Sequence, residues 1–406
     1  MSMLQSLHTT QALPVFFPMS NPIHNYAWGS KYAMQQLFAV ENPTQEPQAE
    51  LWMGAHPNGC SYLTVQGENV KLSDFIAQDP NLILGDETAQ QFGELPYLFK
   101  ILAAENALSI QVHPNKQQAE EGFAKEERQG IQLTATQRNY KDSNHKPELV
   151  YALTDYQAMN GFRSIAEILR LFTSLEIKEL DNIVNLLQNN QTEQGLSDFF
   201  SELLSLQGAE KTVAVDSLIA KAKKNNCPVF DLVVELEKQY PDDIGLFAPL
   251  MLNVVTLQPG QAMFLDAETP HAYIHGTGLE IMANSDNVLR AGLTSKYIDI
   301  EELVSCTQFK HKPYEQLHLT PKWIEGSECY PIPVADFKFS IITQTEQKNV
   351  IVRSAEIILP LDSSLILQHS NGERCQVEKG QSVFIPAYTH QYTLQCLGRV
   401  ARVFSA

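Results

Sequence analysis

The sequence predicts a mainly β chain interrupted by one all-helical insertion. Three observations carry that reading. Short stretches mixing aromatic, aliphatic and polar residues at strand spacing, broken by Gly and Pro, fill residues 14–62 and return after Met251, as in β sandwiches and barrels. Residues 161–245 switch to a helical apolar period. Third, the stretch from Glu378 to His390 echoes 258–271: each runs through a turn with Gly-Gln, an apolar strand, a short turn and a histidine. This weak internal repeat points to two related β sandwiches.

Composition bounds the function. A chain of 406 residues holds two or three domains, each able to bury its own core. Its 29 basic and 47 acidic side chains give a formal charge of −18, which argues against nucleic acid or an anionic membrane as partner. An anionic substrate would need cations gathered locally. No apolar run reaches the roughly 18 residues of a membrane span, and Met1 to Thr10 lacks the basic start and apolar core of a signal peptide. Cys60, Cys227, Cys306, Cys329, Cys375 and Cys396 are scattered without a C-x-x-C pair, the pattern of free thiols in a reducing cytoplasm.

Taken in order, the segments Pro22 to Ser30 and Ala49 to Pro57 carry His24, Trp28, Glu50 and His56, which read as pocket-lining or, for most of them, structural groups. Residues 71–92 read as short helix and loop around Leu72, Phe75, Ile76 and Leu82. The stretch from Leu98 to Pro114 reads as two buried strands joined by a polar turn at Glu105-Asn106. In the second strand Ser109, Gln111 and His113 alternate with Leu108, Ile110 and Val112. Alternate side chains share a face, so an aliphatic face in the core leaves the polar trio facing solvent, a cavity or a metal. Pro114 removes a backbone donor and ends the strand. The pattern also describes a half-buried strand whose histidine is only hydrogen-bonded.

The charged run from Lys116 to Arg128 reads as a solvated helix or mobile cover. Pro147 starts the next strand, with Glu148 followed on its own face by Val150 and Ala152. A carboxylate among apolar neighbours is costly unless paired or metal-bound; a lysine partner is the simpler alternative. Ser164 to Glu167 has a capping-box pattern ahead of the stripe Ile165, Ile168, Leu169 and Phe172. Further helices follow at Leu196 to Leu204, Val213 to Ala222 and Val229 to Leu236, and the insertion reads as scaffold or partial cover. Strands return at Met251 to Leu257 and again between a Pro259-Gly260 turn and a second turn ending in Pro270-His271. Gly276 to Ala283 is the next strand, and Asn284 to Gly292 a polar loop carrying Arg290. From about residue 323 strands fall at Phe337 to Ile342, Val350 to Leu359, Ser364 to His369 and Ser382 to Ile385. His390 has no Gln-x-His partner and reads as structural.

One β sandwich can bring Gln111, His113, Glu148 and His271 together. Two nitrogen and two oxygen ligands suit zinc, while manganese or iron remain compatible. The absence of H-E-x-x-H disfavours a metallopeptidase.

Gln111-Val112-His113-Pro114, His145-Lys146-Pro147-Glu148, Pro270-His271-Ala272-Tyr273 and Asn284-x-Asp286-Asn287-x-x-Arg290-x-Gly292-Leu293-Thr294-x-Lys296 resemble the motifs of type I mannose-6-phosphate isomerases (phosphomannose isomerases). The likeness extends to Tyr26-Ala27-Trp28-Gly29 and Glu50-Leu51-Trp52-Met53-Gly54 and spans essentially the whole chain in order. It implies cupin-type jelly-roll sandwiches, with a catalytic domain at 1–160 and 246–322, a helical insertion at 161–245 and a C-terminal jelly roll at 323–406. It implies interconversion of mannose 6-phosphate and fructose 6-phosphate through a cis-enediol. It also implies one zinc ion at Gln111, His113, Glu148 and His271.

On that resemblance Lys146 is the candidate base, because nearby positive charge lowers a lysine's pKa, and Glu280 is its rival. His145 and Asp286 join them for ring opening. Arg290 matches the family's active-site arginine, with a fork suited to an enediolate or a sugar oxygen. Ser109, Lys100 and Lys296 are expected on the phosphate, and Tyr273 and Trp28 on the substrate. The expected partner is a small phosphosugar, with no nucleic acid or membrane, in a cytoplasmic monomer or weak homodimer. A metal-free sugar-binding cupin, an iron-dependent cupin oxygenase and an isomerase of another hexose phosphate are the alternatives.

Overall fold

Strand alternation and helical period translate into elements largely as expected in the computed structural model, which describes residues 13–405; the reading of Met1 to Thr10 lies outside them. The chain divides into two compact units. One gathers residues 104–277 and 285–318, the other the residues up to 103 with 278–284 and 319–406.

In the 104–277 unit the elements run β1 (Ile110–Val112), α1 (Lys116–Arg128), β2 (Glu148–Ala152), β3 (Tyr156–Phe162), α2 (Ile165–Thr173), α3 (Asp181–Asn189), α4 (Glu193–Leu204), α5 (Gly208–Ala222), α6 (Pro228–Gln239), β4 (Leu252–Leu257), β5 (Ala262–Leu265), β6 (His271–Ala283) and β7 (Leu289–Gly292). Strands β4, β3, β6, β1 and β7 lie side by side in that order, all antiparallel. Strand β2 pairs with β5 and also with β6.

Two expectations for this unit need correction. His271 to Ala283 is one continuous strand rather than a turn followed by a strand from Gly276. A bulge lies inside it, where the register with β3 shifts between Tyr273 and His275, and Gly276, the next residue, sits at φ +122°. A Cβ there would lie 2.4 Å from the Asp155 carbonyl oxygen, so the glycine permits close backbone approach rather than breaking the strand. Arg290, expected in a polar loop, lies in β7, whose ladder with β1 pairs Arg290 with Gln111.

The helical block forms as the period predicts, and its core follows from the apolar stripes. Phe172 meets Phe199 edge-on at 5.0 Å, and Phe200 meets Phe162 of β3 at 5.7 Å, so one core joins insertion and sheet. Ser164 caps α2 by accepting from the Glu167 amide at 3.2 Å. The Glu167 carboxylate, however, turns to the Arg163 guanidinium at 2.5 Å, so only half of the expected capping box is present. A complete box forms instead at the start of α1, between Asn115 and Gln118. Helix α1 is a regular helix whose last turn carries Lys125 and Arg128.

The other unit holds a nine-stranded antiparallel sheet that starts at Lys322–Ile324 and includes Phe17–Ser20, and a four-stranded sheet beginning with Thr345–Ile351. Ile342, Val350, Ile358, Leu367, Val383 and Leu394 form their shared core. The stretch expected as one strand from Val350 to Leu359 is two, Thr345–Ile351 and Glu356–Pro360, in different sheets. His390 is exposed in a left-handed turn at φ +57°.

Gly276→Ala forces a Cβ against the backbone of Asp155 in a conformation that L residues avoid. We expect a stability loss on the order of 2–3 kcal/mol, read as a lower midpoint in urea unfolding; an unchanged midpoint would contradict the bulge assignment.

Candidate metal centre

The antiparallel register places the site. His271 of β6 pairs with Asn160 of β3 on one side and with Gln111 of β1 on the other. Gln111 in turn pairs with Arg290 of β7. Residues directly opposite one another point to the same face, so Asn160, His271, Gln111 and Arg290 form one row across four strands. Ser109, His113 and Tyr273 extend that face along the strands by the two-residue period. Glu148 comes from β2, which pairs with β5 and β6, and meets this face.

Three buried groups converge there. Oε1 of Glu148 lies 3.3 Å from His113 Nε2, and Oε2 lies 3.3 Å from His271 Nε2. His113 and His271, with ring centroids 5.0 Å apart, and Glu148 bring their ligand atoms within 4.8 Å of one another. His113 Nδ1 is 2.7 Å from the Asn287 carbonyl oxygen, and His271 Nδ1 is 2.9 Å from that of Thr269. A carbonyl only accepts, so each Nδ1 carries the proton and each Nε2 presents a lone pair to Glu148. His113 Nε2 is buried with no hydrogen-bond partner. Protonating that ring does not resolve the clash of lone pairs, because burial, and next the Lys146 ammonium, push the His113 pKa down to about 4.

Acceptors facing acceptors require a cation. Four ligands at about 2.0–2.1 Å in a tetrahedron stand about 3.3 Å apart, the separation seen between both imidazoles and the carboxylate. The donor set therefore fits zinc. Burial alone would raise the Glu148 carboxyl, but the Lys146 ammonium at 3.3 Å and the neighbouring imidazole of His113 hold it well below the usual range. The carboxylate is thus both lysine-paired and placed for a metal. The Tyr273 hydroxyl donates to Glu148 Oε2 at 2.8 Å and fixes its orientation. Gln111 donates through its amide nitrogen to Ser109 Oγ at 3.3 Å, which leaves its amide oxygen as an acceptor on the same face.

A second layer holds the loops. Asn287, fully buried, accepts from the Lys141 amide at 2.7 Å and donates to the Asp142 and Asn144 carbonyls at 2.8 and 2.9 Å. The Asp142 carboxylate accepts from Ser285 Oγ and the Asp286 amide. This lacing sets His145 and Lys146 against the segment that carries Asp286, and the same Asn287 orients His113. Asn287 stands within a motif already noted in the sequence, but no role was readable for it there. The carbonyl acceptors of Asn287 and Thr269 leave no residue-type signal at all.

Arg290 is half-buried and its guanidinium makes no hydrogen bond or ion pair among the described residues. Burial lowers its pKa. The Lys296 pKa is lowered too, first by Arg290 and then by burial. Two adjacent cations therefore stand without a carboxylate partner among the described residues.

Lys100, Glu280 and Trp28 belong to the other unit. The Lys100 ammonium is buried between Glu280 at 2.8 Å and Glu50 at 3.6 Å, with the Trp52 ring 5.1 Å away. Two carboxylates of the chain itself already occupy this cation, a poor arrangement for the phosphate ligand expected at Lys100. Trp28 stacks on Tyr26 at 5.8 Å, and His24 and His56 pack on Trp52 at 4.1 and 5.1 Å.

Comparison with known proteins gives a consistent result. The family model "Phosphomannose isomerase type I, catalytic domain" matches residues 16–165, and that for the helical insertion domain of the same family matches 171–252. Mannose-6-phosphate isomerase of Escherichia coli (strain K12) is 47% identical over 95% of this chain and 98% of its own length. The Homo sapiens enzyme of that name is 35% identical over 93% and 94%. A crystal structure of zinc-bound mannose 6-phosphate isomerase superposes with a TM-score of 0.92 at 44% identity, covering 97% of this chain and all of that one. An arginine-to-alanine mutant of phosphomannose isomerase from Salmonella typhimurium gives the same score, identity and coverage.

Tyr273→Phe removes one hydrogen bond to the Glu148 carboxylate and leaves the ring. We expect zinc affinity to fall about tenfold, measured by competition with a chromophoric chelator, with no change in one-to-one stoichiometry. Equal affinity would remove Tyr273 from the orientation of Glu148.

Proposed function

Because the chain belongs to the type I phosphomannose isomerases, we propose that it interconverts mannose 6-phosphate and fructose 6-phosphate, with one zinc ion held by Gln111, His113, Glu148 and His271. The observation that carries the reading is the meeting of two imidazoles, each bonded to a carbonyl through Nδ1, with a buried carboxylate, which leaves His113 Nε2 without a hydrogen-bond partner. When bound, zinc supplies a Lewis acid for oxyanion charge developing on the sugar.

The remaining chemistry falls to side chains. Aldose–ketose exchange moves a proton between C1 and C2 through a cis-enediol, and a base must reach that proton. Lys146, nearly buried beside Glu148, takes this role, with Glu280 as the rival. His145 and Asp286, brought to facing loops by Asp142 and Asn287, assist ring opening. Arg290 offers an unpaired planar fork to a substrate oxygen. Lys296 and Ser109 receive the phosphate together with the field of Arg290, a role the ion-paired Lys100 fills less well. Tyr273 orients Glu148, and Trp28 offers an aromatic face to the sugar.

We divide the chain into a cupin-type catalytic domain at 1–160 and 246–322, a helical insertion at 161–245 and a C-terminal jelly roll at 323–406; the matches at 16–165 and 171–252 support the first catalytic segment and the insertion. No helix among the described residues is long and apolar enough to cross a membrane. We place the enzyme in the cytoplasm, as a monomer or weak homodimer acting on a small phosphosugar.

A coupled assay for fructose 6-phosphate tests the function: turnover of mannose 6-phosphate should vanish on chelation and return with zinc. A folded, zinc-loaded protein that leaves mannose 6-phosphate untouched would reject it. Lys146→Ala should keep one zinc yet slow exchange of the C2 proton with solvent by about 10²–10⁴-fold. Exchange at the normal rate in that variant, together with its loss in Glu280→Gln, would transfer the base role to Glu280.

A further inference from the structure

The cation pair Arg290–Lys296 stands on a segment with an unusual backbone. Gly292 sits at φ +133° and Leu293 at φ +51°, a left-handed conformation that a branched aliphatic residue adopts only under constraint. Two features impose it. The Leu293 side chain is buried in the core shared with the helical insertion. The other is Asp243, just beyond α6, whose Oδ1 accepts from the Leu293 amide at 2.8 Å and whose Oδ2 accepts from the Thr294 amide at 3.1 Å. Oδ1 also accepts from the Gly245 amide at 2.7 Å. Gly245 and Gly292 make the approach possible: a Cβ on Gly292 would stand 2.6 Å from Gly245 Cα.

The same short segment grips the other edge of the site. Gln239 Oε1 accepts from the Ala107 amide at 2.8 Å, and the Tyr240 hydroxyl donates to the Ala107 carbonyl at 2.5 Å. Ala107 leads directly into Ser109, Gln111 and His113. Residues 239–245 thus bracket the entry of β1 and the exit of β7, the two strands that pair Gln111 with Arg290.

We propose that Asp243 is a positioning residue, through which the end of the helical insertion holds the Arg290–Lys296 segment in the shape that receives the substrate's phosphate end. The proposal rests on the isomerase reading given above. Its chemistry has a specific feature. The Asp243 carboxylate lies on the segment that leads to two cations, yet its oxygens are taken by three backbone N–H groups. It shapes the segment without neutralising the charges that an anionic ligand needs. Thr294 passes the geometry on, its Oγ1 accepting from the Lys296 amide at 3.1 Å.

The test compares Asp243→Ala and Asp243→Asn with the wild type, each assayed per mole of zinc-loaded protein. Asparagine keeps one carbonyl-type oxygen and sets an NH₂ against one of the amides. Asp243→Ala should raise KM for mannose 6-phosphate about tenfold or more, with kcat changed less than about threefold. Asp243→Asn should fall between it and the wild type. The inhibition constant of inorganic phosphate should rise in parallel with KM, and amide hydrogen exchange in a peptide spanning 290–297 should quicken. KM, phosphate inhibition and exchange all within twofold of wild type in Asp243→Asn would overturn the proposal, as would a loss of kcat alone. If Asp243→Ala does not fold, Asp243→Asn decides. A wild type that fails to turn over mannose 6-phosphate would sink the functional reading instead, and the exchange rate at 290–297 would still judge the clamp.

Discussion

Two imidazoles and a carboxylate meet in the interior with only acceptor atoms turned toward one another, and that constraint organises the site. Each ring gives its Nδ1 proton to a backbone carbonyl, of Asn287 for His113 and of Thr269 for His271. In the neutral tautomers that these bonds select, each Nε2 turns a lone pair toward Glu148, and the depressed His113 pKa keeps that ring from gaining a proton near neutrality. Burying such a set without a cation is costly. The nearest charge from the chain itself, Lys146, reaches one carboxylate oxygen only. A divalent ion satisfies all of the acceptors at once.

Backbone pairing and backbone carbonyls fix most of the candidate ligands, and the Tyr273 hydroxyl adds a side-chain bond to Glu148. The register across β3, β6, β1 and β7 sets Asn160, His271, Gln111 and Arg290 in line, so Arg290 is aligned by the same ladder that aligns His271 and Gln111. The turn before His271 is tied in as well. Glu268, left-handed at φ +66°, donates its amide to the His113 carbonyl at 2.7 Å and accepts through its side chain from Asn115 and Gln118, the capping pair of α1. The helical insertion enters this scheme from the opposite side, through Ala107 and through Asp243. These bonds tie the insertion to both edges of the site, which the apolar stripes of its helices alone do not reveal.

Local pattern was a good guide where one residue type has one physical use. Alternation placed Gln111 and His113 on one face, a lone Glu148 among apolar neighbours marked a paired or liganding carboxylate, and the helical period located 161–245. Pattern failed where long-range pairing decides. Arg290 sits among Asn, Ser and Asp and reads as loop, yet the ladder to β1 makes it strand. Gly276 reads as a strand boundary because a glycine weakens any strand, whereas here it allows close approach to Asp155, just past a bulge, within a continuous strand. Glu167 has the right spacing for a capping box but is captured by Arg163, a charge-assisted bond stronger than the one it replaces. Lys100 reads as an available cation, and only the fold brings Glu50 and Glu280 to it. Carbonyl acceptors and apposed glycines, such as Gly245 and Gly292, carry no signature that one sequence can show.

X-ray absorption at the zinc edge of the zinc-loaded protein tests the central claim most directly. The account predicts four nitrogen or oxygen ligands at about 2.0–2.1 Å, two of them imidazoles by their multiple scattering, and no sulfur. A sulfur shell at about 2.3 Å, or a single imidazole, would place the metal elsewhere and contradict it.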